Sequence, residues 1–220
     1  MTPSQVWKQV KPGSIVTLAD AQTIIAKIKA GKGSDPESFI VGSILVIKQK
    51  DGLAEWRFIQ LTPTSAWLMV KIVDANVDLV VLRDAPDWIP STRKELVDKE
   101  LLFMFNAPAN PDNFEYDELT YVDSIPVTNA EINGNQETTF CLKPQREQHG
   151  TAEWQPPQSG IGSMMGTVVE FSTELSKGFI DTQLVIVELG LTSMPGDGLI
   201  RFLVGRSVSA GDASVIGARG

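Results

Sequence analysis

The sequence contains very few of the residues that most often build catalytic and metal centres. Its 220 residues include one cysteine and one histidine, so disulfide frameworks and Cys/His zinc sites are excluded, and any histidine-dependent triad would have to use His149. His149 lies in a polar stretch that resembles a loop, which predicts a solvated side chain. Cys141 lies between two apolar residues and is predicted to be a small buried hydrophobe. We predict no cofactor and no metal site from these residues.

Basic residues are also in the minority. Lys and Arg number 19 and Asp and Glu number 27, which gives a formal net charge of −8. Because nucleic-acid backbones are bound by clusters of positive charge, this balance argues against nucleic acid as a partner.

Long hydrophobic runs are absent as well. The longest apolar stretches, around residues 79–82 and 101–105, fall far short of the roughly 20 residues that a membrane-spanning helix needs. The first residues lack the basic and apolar regions of a secretory signal. We therefore expect a cytoplasmic protein without an integral membrane segment.

Strand patterns dominate what the sequence does contain. Short turns marked by Asp51-Gly52, Thr62-Pro63 and Asp74-Ala75 separate β-branched and aromatic segments at about ten-residue intervals, which is typical of an antiparallel meander. The predicted strands of this part are 38–48, 54–61, 66–73 and 77–83. Residues 56, 58 and 60, and again 67, 69 and 71, alternate along their strands, so one face of the sheet is expected to bury aromatic rings.

Two short helices and a second set of strands complete the prediction. Asp20 caps a helix over 21–30, and the capping pattern Thr92-x-x-Glu95 begins another. The Pro- and Asn-rich segment 106–113 marks a boundary, with a β-meander half at 1–106 and an acidic β-rich half at 107–220. The predicted fold is mainly β with two short helices (α+β), with an antiparallel meander, sandwich or small barrel in each half.

The negative charge belongs to the second half. Residues 1–110 hold 13 basic and 12 acidic side chains, whereas residues 111–220 hold 6 and 15. No Lys or Arg occurs between Lys99 and Lys143. A solvated acidic face explains this stretch, and an acidic docking surface for a basic partner is the alternative. The candidate binding residues are Asp112, Glu115, Asp117, Glu118 and Asp123.

The five tryptophans have two interpretations. Most are expected to be core residues, and an aromatic peptide-binding groove of the kind found on small β-barrels is the alternative. They are Trp7, Trp56, Trp67, Trp88 and Trp154.

Two groups of short segments resemble known bacterial proteins. Residues 11–16, 54–58 and 66–68 resemble uncharacterised bacterial β-rich domains. Residues 169–171, 182–188 and 203–208 are similar to the YjfK-like family. This resemblance implies a neighbourhood that contains a phage-shock-protein-A-like membrane-remodelling protein, and hence a peripheral association with a membrane system. It brings no catalytic residue.

Three functions are compatible with these patterns. The leading hypothesis is a non-enzymatic protein–protein interaction module, in the membrane-stress assembly that the resemblance implies. The second is a subunit of a phage-type or other assembly that self-associates through strand edges. The third is a metal-dependent enzyme that uses carboxylates of the second half.

Overall fold

The computed structural model describes residues 1–19, 37–49, 51–84, 95, 102–104, 119–121, 125–128, 139–144, 148–157, 164–172, 183–191 and 194–216. The elements with described bounds are α1 (Pro3–Lys8), β1 (Ile15–Leu18), β2 (Glu37–Gln49), β3 (Ala54–Thr62), β4 (Ala66–Val73), β5 (Asn76–Asp84), β6 (Leu102–Met104), β7 (Leu119–Tyr121), β8 (Ile125–Thr128), β9 (Thr139–Pro144), β10 (Gln148–Gln155), β11 (Met164–Ser172), β12 (Gln183–Leu191), β13 (Met194–Val208), a 3₁₀ helix (Ala210–Asp212) and β14 (Ala213–Ile216).

Eight of these strands close into an antiparallel barrel. The sheet runs β2-β3-β4-β5-β13-β12-β11-β10, and β10 pairs back with β2. Closure removes the two open edges that a flat sheet of these strands would have. The predicted mainly β fold is confirmed in the form of a barrel, and the sandwich alternative is wrong.

The barrel combines both parts of the sequence. Strands β2–β5 come from the first predicted half and β10–β13 from the second, so the barrel takes four strands from each. The predicted boundary between residues 106 and 107 lies outside the described residues. Two seams join the halves, one between β5 and β13 and one between β10 and β2.

A glycine allows close strand approach at each seam. A Cβ built on Gly205 in β13 would lie 1.8 Å from the Val81 carbonyl oxygen of β5. A Cβ on Gly150 in β10 would lie 2.0 Å from the Lys48 carbonyl oxygen of β2. Because backbone carbonyls cannot turn away as a flexible side chain can, any larger residue would push the strands apart. Both seams therefore depend on glycine.

The barrel interior is filled with apolar side chains from all eight strands. Trp56, Phe58, Ile47, Met69 and Leu82 are among its most buried members. An eight-stranded barrel is just wide enough for such side chains to fill it. The predicted alternation is confirmed here, since residues 56, 58, 67 and 69 all belong to this interior cluster.

A second apolar cluster covers the outer face of β2–β5. It combines the outward residues of these strands with Trp7 and Val10 from the N-terminal segment and with β1. The buried guanidinium of Arg57 fastens this segment, because its Nη2 donates to the Val10 carbonyl oxygen at 2.9 Å and its Nη1 pairs with Glu55 at 2.8 Å. The N-terminal segment is thus a second layer over half of the barrel.

The helices differ from the prediction. Helix α1 was not predicted, although Thr2 and Gln5 form a capping box and Pro3 occupies the first turn, which is a recognisable start signal. The predicted helix 21–30 lies outside the described residues, and of the second helix only Glu95 is described, as helical and exposed. Among the residues that the structure describes, no helix is long and apolar enough to cross a membrane.

Replacing the seam glycine Gly205 by alanine tests the closed barrel. We expect G205A to lower the free energy of unfolding by about 3 kcal/mol or more, because the added methyl group meets a backbone carbonyl. Gly211 is the matched control, since the nearest atom to its Cβ position is 3.8 Å away. We expect G211A to change stability by less than about 0.5 kcal/mol. Urea denaturation measures the free energy of unfolding of both variants. Equal stability of G205A and G211A would contradict the close approach of β13 to β5.

Candidate functional site

A buried carboxylate makes contacts across the interior of the barrel, near one of its ends. Glu170 on β11 is 8% exposed, and its Oε1 accepts a hydrogen bond from the Trp56 indole Nε1 of β3 at 3.1 Å. The same oxygen lies 2.8 Å from the Lys71 ammonium of β4. Strand β11 pairs with neither β3 nor β4, so these contacts span the barrel and link its two halves.

The alternation of side chains along their strands places Trp56, Lys71 and Glu170 inside the barrel. Lys71 follows Trp67 and Met69 in the inward phase of β4, and Glu170 follows Val168 in the inward phase of β11. Both charged residues lie two positions before the end of their strand. Lys71 and Trp56 are also direct cross-strand partners. The charges therefore meet where the barrel core gives way to solvent.

A cavity of about 360 Å³ lies beside this pair, between the start of β5 and the end of β13. Its polar lining comprises Lys71, Asp78, Glu170 and Ser207. Its apolar lining comprises Met69, Val77, Leu79, Val80, Val208 and Ala210. The volume is within the range of small-molecule sites, and most of the lining surface is polar, because Met69, Leu79, Val80 and Val208 are themselves buried.

The other end of the barrel carries an aromatic cluster. The rings of Trp67 and Trp154 lie 6.4 Å apart at 59°, and the Arg201 guanidinium lies 5.3 Å from the centre of the Trp67 ring. Arg201 also lies 3.8 Å from Asp84. Trp67 is buried and its face is taken by Arg201, so this cluster closes the end of the barrel and does not form an open groove.

The remaining tryptophans also favour the core interpretation. Trp7 and Trp56 are buried in the outer and interior clusters, respectively, and Trp154 is partly buried. Trp88 lies outside the described residues.

Strand β14 leaves a backbone edge without a described neighbour. It pairs with β1 on one side, and no described strand pairs with its other side. The Ala19 N–H donates to the Asp212 carbonyl oxygen at 2.6 Å, and hydrogen-bonding pairs alternate along an antiparallel ladder. Every second residue of β14 therefore bonds to β1, and the backbone groups of Ala213 and Val215 point to the open side.

An apolar row crosses the face of this outer sheet. Ile15 of β1 lies directly opposite Ile216 of β14 on one side and Ile40 of β2 on the other. These side chains are 37%, 58% and 57% exposed, respectively. The opposite face of these strands carries Val16 and Phe39, which belong to the outer core. The row is the largest exposed group of isoleucines in register in the described sheet.

The residues predicted as a binding surface are not placed by the structure. Asp112, Glu115, Asp117, Glu118 and Asp123 lie outside the described residues, so the acidic surface stays a prediction. Within the described residues, no three His, Cys, Asp or Glu side chains form a group that could hold a metal ion.

Two of the possible reactive residues have a defined backbone. His149 lies in β10 opposite Thr167, so the predicted loop is wrong at this position. Cys141 lies in β9 opposite Pro126 of β8.

Sequence reasoning missed the contact between Glu170 and Lys71. Each residue occupies the apolar phase of its strand, and a charged residue at an inward position is a recognisable signal because buried charges require partners. The sequence does not reveal which of its many carboxylates pairs with Lys71, since the two residues are far apart along the chain.

Comparisons with protein-family models, with curated proteins and with solved structures found no match to this chain. The similarity to the YjfK-like family therefore stays a prediction.

Removing the Lys71 charge tests the cross-barrel contact. We expect K71M to destabilise the protein by about 1–3 kcal/mol, because the buried Glu170 carboxylate loses its cation. K48M is the control, since Lys48 is exposed on the outer phase of β2. Adding E170Q should restore stability to K71M, because the amide oxygen still accepts from Trp56 and needs no cation. Urea denaturation of the original chain, K71M, E170Q, the double variant and the K48M control measures this, and purely additive losses would contradict the coupling.

Proposed function

We propose that this chain is a non-enzymatic protein-binding module that receives an extended segment of a partner protein along the open edge of β14. The observation that carries the proposal is the direction of the Ala213 and Val215 backbone groups, which point away from β1. Unpaired backbone groups on an edge strand are a template for strand addition.

The attachment of this edge to the barrel supports the proposal. Strand β14 pairs with β1, and β1 pairs with β2, which is itself a barrel strand. Ala213 and Val215 also pack against the outer core. A partner segment would therefore add to an edge that is already ordered, which lowers the entropic cost of binding.

The acidic surface predicted around residues 112–137 is a second element of this proposal. It would favour a partner with a basic segment, because complementary charges speed association and select among partners. A place in a membrane-stress assembly and a cytoplasmic location also remain part of the proposal.

Self-association is the second candidate function. The exposed row of Ile15, Ile40 and Ile216 favours it, because isoleucine side chains in register present a continuous apolar strip beside the same edge. Two copies paired through their β14 edges would continue the sheet across a twofold axis.

A proline in the outward phase of β14 tests the proposed edge. V215P removes an N–H that points away from β1, so we expect a folded protein that no longer accepts a partner strand. V215T is the matched control because it keeps the N–H and has nearly the same volume. Affinity capture from native lysate should return a partner with the original chain and with V215T and lose it with V215P.

Neutralising the predicted acidic surface separates the two parts of the proposal. A variant with D112N, E115Q, D117N and E118Q should weaken capture at low salt more than at high salt. Light scattering of the original chain and V215P, without lysate, measures self-association. If V215P bound the partner as well as the original chain does, the proposed binding along the edge of β14 would be wrong.

A further inference from the structure

The two ends of the described sheet differ in how they are protected against strand addition. The sheet ends at β8 and at β14. Strand β8 contains Pro126, and a proline at an edge removes a backbone donor and hinders regular pairing. Strand β14 has the sequence Ala-Ser-Val-Ile, with no proline and no charged residue. The β14 edge therefore lacks the residues with which proteins usually prevent their edges from pairing.

The outward backbone groups of β14 are complementary to those of a second copy. Ala213 and Val215 direct their N–H and C=O groups away from β1, and Ser214 lies between them. Residues that exchange hydrogen bonds in an antiparallel pair lie directly opposite each other. A twofold axis at Ser214 would place Ala213 of each copy opposite Val215 of the other. All outward groups of both residues would then be satisfied.

The side chains of β14 permit this close approach. Each Ser214 would face the Ser214 of the other copy in a non-hydrogen-bonded pair, in which the Cα atoms are only about 4.5 Å apart. Serine is small, and Ser214 is exposed. On the opposite face of the strand, Ala213 and Val215 pack against the outer core, so this apolar face would continue into the second copy.

Charge favours a second copy over a basic segment at this edge. The chain has a net charge of −8, so two copies associate best where little negative charge is brought together. The described side chains on the exposed face of β1, β14 and the start of β2 are uncharged: Ile15, Thr17, Ser38, Ile40, Ser214 and Ile216. This face offers no carboxylate to a basic segment.

The acid that directly precedes β14 does not oppose this pairing. Asp212 lies two residues before Ser214, so the two copies of Asp212 would be four residues apart, on opposite sides of the axis. At about 3.4 Å per residue this separation is about 14 Å. It exceeds the distance of about 8 Å over which physiological salt screens exposed charges.

We propose that this chain forms a homodimer by antiparallel pairing of two β14 strands, with the twofold axis at Ser214. The inference rests on the open β14 edge of the proposed function, and it names the occupant of that edge as a second copy of the chain. The same surface is used by both copies, as a twofold interface requires. The outer sheets of the two copies become one continuous sheet.

Disulfide cross-linking of the full chain tests the position of the axis. The Cα separation of a non-hydrogen-bonded pair suits a disulfide, so S214C should become mostly a covalent dimer under mild oxidation. Both it and its control carry C141S, which removes the one native thiol. The control is S38C, because Ser38 is exposed on the same face but β1 separates it from β14. We expect S38C to stay monomeric.

Charge reversal at the axis tests the dimer without a covalent bond. Sedimentation equilibrium of the original chain should show a reversible dimer. We expect S214D and S214K each to weaken it about fivefold or more, because like charges directly opposite each other destabilise a strand pair. An equimolar mixture of S214D and S214K should dimerise again, which a folding defect would not allow. S38D is the matched control and should dimerise as the original chain does.

Three results would each overturn the dimer. They are a strictly monomeric original chain at high concentration, equal cross-linking of S214C and S38C, and a mixture of S214D and S214K that stays monomeric. The proposed function is judged separately by capture from lysate. A monomeric chain that captures a partner and loses it in V215P would support that function and overturn this inference. A dimer that captures no partner would do the reverse.

Discussion

Closure of the sheet is the constraint on which the rest of this structure depends. Every barrel strand satisfies its backbone groups on two neighbours, and the chain meets this requirement only because β5 pairs with β13 and β10 pairs with β2. Both contacts join segments that are distant in sequence, and both bring backbone so close that Gly205 and Gly150 are required. The interior core, the cross-barrel contact and the cavity exist because these two seams close.

The contact of Glu170 with Lys71 and Trp56 has a cost that apolar residues would not have. Buried charges lose hydration, and their mutual attraction often only balances that loss. The position of the contact limits the cost, because Lys71 keeps 22% of its side chain exposed at the end of the barrel. The result is a barrel with an apolar centre, and the cavity lies at the end that carries Glu170 and Lys71.

The outer strands give the molecule a second kind of surface. The barrel itself has no edge, but the extension through β1 to β14 creates one, together with the exposed row of Ile15, Ile40 and Ile216. Closure protects the eight barrel strands from edge-to-edge association, whereas the described sheet still ends at β14 and at β8.

Local patterns in the sequence determined the strands, and the tertiary structure decided what they build. The alternation of Trp56 with Phe58 and of Trp67 with Met69 predicted both the strands and their buried face, because side chains alternate across a strand whatever its neighbours are. The same alternation cannot distinguish a sandwich from a barrel, since both bury one face of each strand. Pairing of β5 with β13, the approach of Glu170 to Lys71, and the open side of β14 all depend on which distant segments become neighbours. That choice is made by the summed packing and hydrogen bonding of the whole barrel, which no local window of the sequence contains.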